Sequence, residues 1–173
     1  MTAVGEKQAA GSRGCTRHEQ AREDGLKQAV ARGLAEAEER CARRQVRLTR
    51  LRRAVLACLL AANGPVKAYE LIDLLREKGE RLTPATIYRT LDFLLDCDLA
   101  HRIAAINAYV PCICEHNGSI LLLFVCSRCQ RVEAISDPAL QATMRSRFSE
   151  LGLPLQASSI EMLGICEKCA DKA

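Results

Sequence analysis

Tryptophan is absent from this 173-residue chain, and phenylalanine and tyrosine contribute only three residues each. A surface that holds single-stranded nucleic acid by stacking bases needs more rings than that, so such a platform is excluded. No apolar run approaches the roughly 20 residues of a membrane-spanning helix. Residues 1–10 lack the hydrophobic segment of an export signal. Histidine is scarce as well: beyond His18 near the N-terminus there are only His101 and His116. With no export signal, the ten cysteines are not read as an extracellular disulfide framework. They suit a reducing, cytoplasmic setting, in which thiols stay free or bind metal.

What is present is unevenly placed. Net charge is +4, and Arg43, Arg44, Arg47, Arg50, Arg52 and Arg53 fall within eleven residues. Near the C-terminus stand two pairs, Cys126-Ser-Arg-Cys129 and Cys166-Glu-Lys-Cys169. Each pair puts two thiolates on one tight turn, and together they can close a tetrahedral zinc site. Thirty-six residues separate Cys129 from Cys166, more than a zinc ribbon needs, so a small subdomain lies between the pairs. The alternative is two independent redox or incidental turns.

Residues 1–20, with Gly5, Gly11, Ser12 and Gly14, read as a loose tail carrying Cys15 and His18 as spectators. Residues 22–43 are rich in Ala, Glu, Arg and Leu and predict a helix with Leu26, Val30, Leu34 and Ala37 on one face. Thr49 is placed to cap a second helix to about Ala62, with Leu51, Val55, Leu59 and Leu60 inward. A third, residues 68–78, turns Leu71, Ile72, Leu74 and Leu75 inward and stops at Gly79. Thr83-Pro84 opens a fourth that runs to about Cys97. Residues 99–105 and 108–110 then form a two-stranded ribbon around Ile106-Asn107. That order is a winged helix-turn-helix, whose last helix enters the major groove. Thr83, Thr86, Tyr88, Arg89 and Thr90 lie on its N-terminal half, and the fork of Arg89 suits guanine. The arginine cluster favours DNA over a plain three-helix core. Cys41, Cys58 and Cys97 read as core residues.

After a hinge at residues 111–118, residues 120–125 and 131–135 read as strands. Asp137-Pro138 starts a helix to about Leu151, and residues 155–165 form a last strand. The expected class is mixed α/β (α+β): a DNA-binding domain at residues 21–110 and a small metal-binding, dimerising domain at 119–173. The strand at residues 120–125 is too apolar for an open edge, which suggests pairing across a dimer.

Taken together, Arg47-Leu48-Thr49, Ala68-Tyr69-Glu70-Leu71, Thr86-Ile87-Tyr88-Arg89-Thr90-Leu91, Asn107-Ala108-Tyr109-Val110 and the two Cys pairs resemble the ferric uptake regulator family of metal-dependent repressors. The stretch from Tyr69 to Arg76 and the position of Cys112 are most similar to its zinc uptake regulator branch. The resemblance implies a homodimer that represses zinc uptake genes from an inverted-repeat DNA operator, with one or two dimers per operator. It implies DNA contacts from Tyr69 and Arg89, and Asp73 and Arg76 as inter-dimer partners or as a pair within their helix. It implies two Zn²⁺ per chain. One is structural, on Cys126, Cys129, Cys166 and Cys169; the other is regulatory, with His101, Cys112, His116 and Glu133 as candidates.

This chain departs from the branch at two of those ligands. His116 lies farther before Cys126 than the family spacing. Glu133 comes four residues after Cys129 where the family glutamate comes five after, which turns it to the other strand face. Cys114 and Glu115 are nearby substitutes. Mixed nitrogen and sulfur donors favour zinc over harder ions. The rivals are an iron or peroxide sensor on the same fold and, from another class, a CxxC thiol oxidoreductase, although that motif normally opens a helix in a βαβ context. A hydrolytic zinc enzyme would need an open coordination position, so a non-enzymatic regulator is expected.

Overall fold

The computed structural model describes residues 13–112, 120–135, 137–155 and 159–171. Helix α1 spans Arg13–Arg43, followed by α2 (Arg50–Ala61), α3 (Ala68–Glu77) and α4 (Pro84–Asp96). The expected start of α1 near Arg22 is therefore too late. No proline lies between Arg13 and Arg22, and the helix continues past Gly14 through Cys15 and His18. Residues 1–12 of the expected tail lie outside the described residues.

The four helices share one core. Leu34 and Ala37 of α1, Val55, Leu56 and Leu59 of α2, Leu71 and Leu75 of α3, and Ile87, Leu91 and Leu94 of α4 are all buried in it. Cys41, Cys58 and Cys97 are buried there too, as small apolar residues. Leu74 departs from expectation: it is 39 % exposed, because the apolar stripe of α3 runs through Leu71 and Leu75, a full turn apart. Thr83 caps α4 by accepting the Thr86 amide at 3.3 Å. Thr49 stands at the N-cap of α2 without a side-chain cap bond. At the end of α3, Gly79 adopts φ +85, a conformation open to glycine at little cost.

Strand β1 (Ala100–Ile103) pairs antiparallel with β2 (Ala108–Pro111) across a 3-10 turn at Ala104–Ile106, which Asn107 closes with φ 49. Val66 bonds Tyr109 through both backbone groups and ties this wing to the start of α3. In the C-terminal part, β3 (Leu121–Cys126), β4 (Val132–Ile135) and β5 (Ser159–Gly164) form a sheet in the order β4-β3-β5. Helix α5 (Pro138–Glu150) crosses from β4 to β5, so β5 runs parallel to β3. A short α6 (Glu167–Ala170) follows.

This topology corrects the reading of residues 120–125 as a strand paired across a dimer. β3 is the central strand, and its continuous apolar run is explained by neighbours on both sides. The wing packs on one face of this sheet, where Ile103, Leu123 and Val125 are buried together with Ile106, Val110, Leu121 and Val132 against them. Among the described residues, no helix is long and apolar enough to cross a membrane.

Leu91 lies at 0 % exposure where α4 meets the other helices. Leu91→Ala should destabilise the helical half by about 2–5 kcal/mol, the usual range for a buried leucine truncation. Urea unfolding followed by far-ultraviolet circular dichroism measures it, and a loss below about 1 kcal/mol would contradict this packing.

Candidate metal centre and nucleic-acid interface

Parallel pairing of β3 with β5 sets Cys126 opposite Gly164, so the turn after β3 and the turn after β5 end side by side. The first turn is held by the Gln130 amide on Cys126 O at 2.9 Å, with Gln130 itself at φ 59. Ser127 bonds Gly164 O through its amide at 2.8 Å, and Arg128 reaches Cys169 O at 2.7 Å. The second turn starts α6, with the Cys169 amide on Cys166 O at 2.9 Å. The thirty-six residues between the pairs are thus β4, α5 and β5, the length a parallel return requires.

All four sulfurs of Cys126, Cys129, Cys166 and Cys169 lie within 4.8 Å of one another. Cys129 and Cys166 are 3.7 Å apart. Four bonds of about 2.3 Å in a tetrahedron place sulfurs about 3.8 Å apart, so the cluster has the dimensions and donor chemistry of a zinc site. Cys126 is buried and accepts the Cys166 amide at 3.4 Å; that bond, with the Cys129 amide, holds its thiol down to about 6. Cys169, beside the Cys166 and Cys129 sulfurs, is pushed up to about 12. Without a cation, the Cys126 thiolate forms readily while Cys169 keeps its proton.

The second candidate set is only partly assembled. His101 (6 % exposed) and Cys112 (8 % exposed) are buried. His101 sits opposite Val110, and the Cys112 amide bonds Leu99 O at 3.0 Å, so both lie on one face of the wing as diagonal neighbours. A buried imidazole and thiol on one face fit zinc as partial ligands. His116, Cys114 and Glu115 lie outside the described residues.

Glu133 is not brought to this pair. It stands opposite Phe124, whereas Leu123 and Val125, which pack under the wing, stand opposite Ala134 and Val132. The pleat therefore points Glu133 to the far face, where it ion-pairs with Arg131. Ala134, five residues after Cys129, occupies the wing-facing position and offers no ligand. The wing-facing carboxylate is one that sequence reading missed. Glu161 of β5, opposite Leu123, accepts the amides of Ala104 and Ala105 at 2.7 and 3.0 Å. Its sequence mark is a lone acid inside Ile160-Glu161-Met162-Leu163.

Arg40 was missed as well. Buried on α1, it donates to Glu36 Oε1 at 2.6 Å, Asp98 O at 3.1 Å and Cys112 Sγ at 3.9 Å. Its Nε is buried with no partner among the described residues. An orphaned donor of this kind costs about 1–3 kcal/mol, which makes Arg40 an expensive choice for packing alone.

On the DNA side, Tyr69 (59 %) and Tyr88 (47 %) are exposed, and so is Arg89. Thr86 is half-buried at the start of α4, its hydroxyl 2.9 Å from that of Thr83. Thr90 is buried and bonded to Thr86 O. Arg89 makes no hydrogen bond or ion pair among the described residues. The arginine cluster behaves otherwise than expected. Arg44 holds Asp98 and Asp96 O, Arg50 pairs with Glu80, Arg53 pairs with Glu38, and Arg52 lies over the Phe93 ring. Asp73 and Arg76 pair within α3 at 3.0 Å.

The ferric uptake regulator family model matches residues 43–163. The zinc uptake regulation protein of Escherichia coli strain K12 is 36 % identical over 139 residues, which cover 80 % of this chain and 81 % of that protein. The zinc uptake regulation protein of Mycobacterium tuberculosis H37Rv is 30 % identical over 127 residues, 72 % and 95 % of the two chains. Among solved structures, a zinc uptake regulator complexed with zinc and DNA superposes with TM-score 0.72 at 34 % identity, covering 83 % of this chain and 96 % of that one. Holo XcZur superposes with TM-score 0.67 at 35 % identity, covering 80 % and 96 %. The Helicobacter pylori ferric uptake regulator, at 16 % identity and TM-score 0.58 over 82 % and 93 % of the chains, shares the fold.

Because Cys169 keeps its proton to about 12, zinc must displace it, and zinc affinity should rise with pH across the neutral range. Zinc added to metal-free protein in weak buffer should release protons, that of Cys169 among them, read by a pH indicator. Uptake with no proton release would contradict thiolate ligation.

Proposed function

The chain belongs to the ferric uptake regulator family, and on that premise we propose that it is a zinc-responsive DNA-binding repressor of zinc uptake genes. The carrying observation is the junction of wing and sheet. The wing that flanks α4 rests directly on the sheet whose strands deliver the Cys₄ cluster, and it buries His101 and Cys112 on one face.

In this reading Cys126, Cys129, Cys166 and Cys169 hold a structural zinc. His101 and Cys112 hold a second one, with His116 as the nearest further donor; Glu133 faces away and is left out. Bound zinc supplies fixed, directional bonds between these side chains. The rest is the work of the chain itself. Ile103, Leu123 and Val125 seat the wing, and Glu161 clamps its tip by two charge-assisted bonds. Val66 and Tyr109 tie the wing to α3, so the attitude of the wing sets that of α4. Arg89 and Tyr88, exposed on α4, reach base edges and phosphates; Tyr69 on α3 reaches the backbone. The closed Cys₄ site leaves no open position for hydrolysis, and such a regulator works in the cytoplasm, where thiols stay reduced.

The operator is read by two copies. Helix α5 buries none of its residues, Leu151 and Leu153 just after it are exposed, and so are Leu163 and Ile165 at the end of β5, an edge strand among the described residues. An apolar edge of this kind needs a cover, and a second copy related by a two-fold axis supplies it. Dimerisation thus runs through β5 and α5, with β3 inside the sheet. Two dimers per operator would bring Asp73 and Arg76 out of their helical pair to face a neighbouring dimer, an exchange between exposed ion pairs of small cost.

The nitrogen and sulfur donors, and relatives named for zinc, favour zinc over iron or peroxide sensing. Protein holding only its Cys₄ zinc should bind inverted-repeat duplexes, selected from a randomised pool by the fully loaded protein, far more weakly than it does after further zinc. Equal affinity in the two states would refute the switch, and a stronger response to ferrous iron would favour the rival. Arg89→Ala should cost about 1–3 kcal/mol of duplex binding, measured by fluorescence anisotropy. Leu163→Glu should turn the dimer into a monomer in sedimentation velocity while the Cys₄ zinc stays bound; an unchanged dimer would place the interface elsewhere.

A further inference from the structure

Cys112 and the end of α4 share a guanidinium. Arg40, 8 % exposed on α1, donates from one nitrogen, Nη1, to both Asp98 O at 3.1 Å and Cys112 Sγ at 3.9 Å. Asp98 follows the C-cap of α4 and takes φ 53, a left-handed conformation that its contacts must sustain. A backbone path runs alongside: the Leu99 amide bonds Leu94 O of α4 at 2.8 Å, and the Cys112 amide bonds Leu99 O at 3.0 Å. The last turn of the recognition helix and the hinge cysteine are therefore joined twice. The guanidinium is planar, with its donors in a fixed fork, so a change in one of its bonds is felt at the others.

We infer that Arg40 is the positioning residue through which the ligand state of Cys112 reaches the recognition helix. This rests on the reading that Cys112 holds the second zinc. A divalent ion on Cys112 brings net positive charge beside Arg40, itself a cation, and pushes the guanidinium off that side. Its donation then shifts toward Asp98 O and Glu36, which tightens its hold on the turn that ends α4. Metal-free, Cys112 competes for the same N–H and the turn is held less firmly. By linkage, duplex DNA that favours the tightened turn strengthens metal binding at Cys112 by the same factor.

Arg40→Met removes the fork, and Arg40→Lys keeps the charge on a single ammonium that does not reproduce the fork. In both variants the zinc count per chain should match that of the unaltered protein. The ratio of duplex affinities with and without the second zinc should fall on the order of 10-fold, within the usual span of allosteric coupling. Variants that keep the full ratio, or that lose affinity equally with and without zinc, would reduce Arg40 to a packing role and overturn the inference. A second measurement needs no substitution. In unaltered protein with nitrogen-15 arginine, the Arg40 Nε–H resonance should move during the zinc step that follows Cys₄ filling. Two zincs bound with that resonance static would sink this inference alone, whereas uptake of one zinc per chain would sink the two-site reading as well.

Discussion

The parallel pairing of β3 with β5 is the constraint on which the metal centre depends. Two Cys turns far apart in sequence can meet only if the second strand returns beside the first in the same direction. A parallel return needs a crossover, and α5 supplies it. Once that register is made, Cys126 stands beside Gly164 and the sulfurs converge. The cluster closes the open end of a sheet whose outer strands are only partly buried. Burial alone is thin there, since α5 contributes no buried residue. In the proposed reading, metal ligation and association with a second copy make up the difference, as they do in small domains whose own cores are insufficient.

The wing carries this order to the DNA-reading half. Its apolar face is seated on Leu123 and Val125, and its tip is held by the Glu161 carboxylate on two backbone amides. Bonds of that charged kind contribute about 1.5–3 kcal/mol each, more than an exposed ion pair. In this chain a carboxylate thus joins sheet to wing directly, from β5, while the position on β4 that faces the wing is Ala134. The hinge metal would then rely on His101, Cys112 and donors from the adjoining segment.

The arginines show how a charge count differs from a binding surface. Six of them crowd the start of α2, yet Arg44, Arg50 and Arg53 answer acids of the same chain and Arg52 covers Phe93. The exposed side chains proposed to meet a duplex are fewer: Arg89, Tyr88 and Tyr69. Exposed pairs are weak enough to exchange for phosphate, so the cluster can still assist. It orients nothing by itself. Orientation comes from α4, whose start is capped by Thr83 and whose end is gripped by Arg40 of α1 and Arg44 just after it.

The sequence by itself determined the element order, the winged helix, the two CxxC turns and the family motifs, because each is a local pattern. Helical stripes, a Thr-Pro start and two CxxC turns depend on residues a few positions apart. It also flagged Glu133 by its one-residue offset, since strand parity is a local rule. Only the tertiary structure decided what long-range pairing controls: that β3 is central, that Glu133 looks away while Glu161 grips the wing, and that Arg40 reaches Cys112. Those contacts join residues separated by 56 to 72 positions or by the order of strands in a sheet. No periodicity in a single chain encodes such distances; they follow from which apolar faces find each other when the core closes.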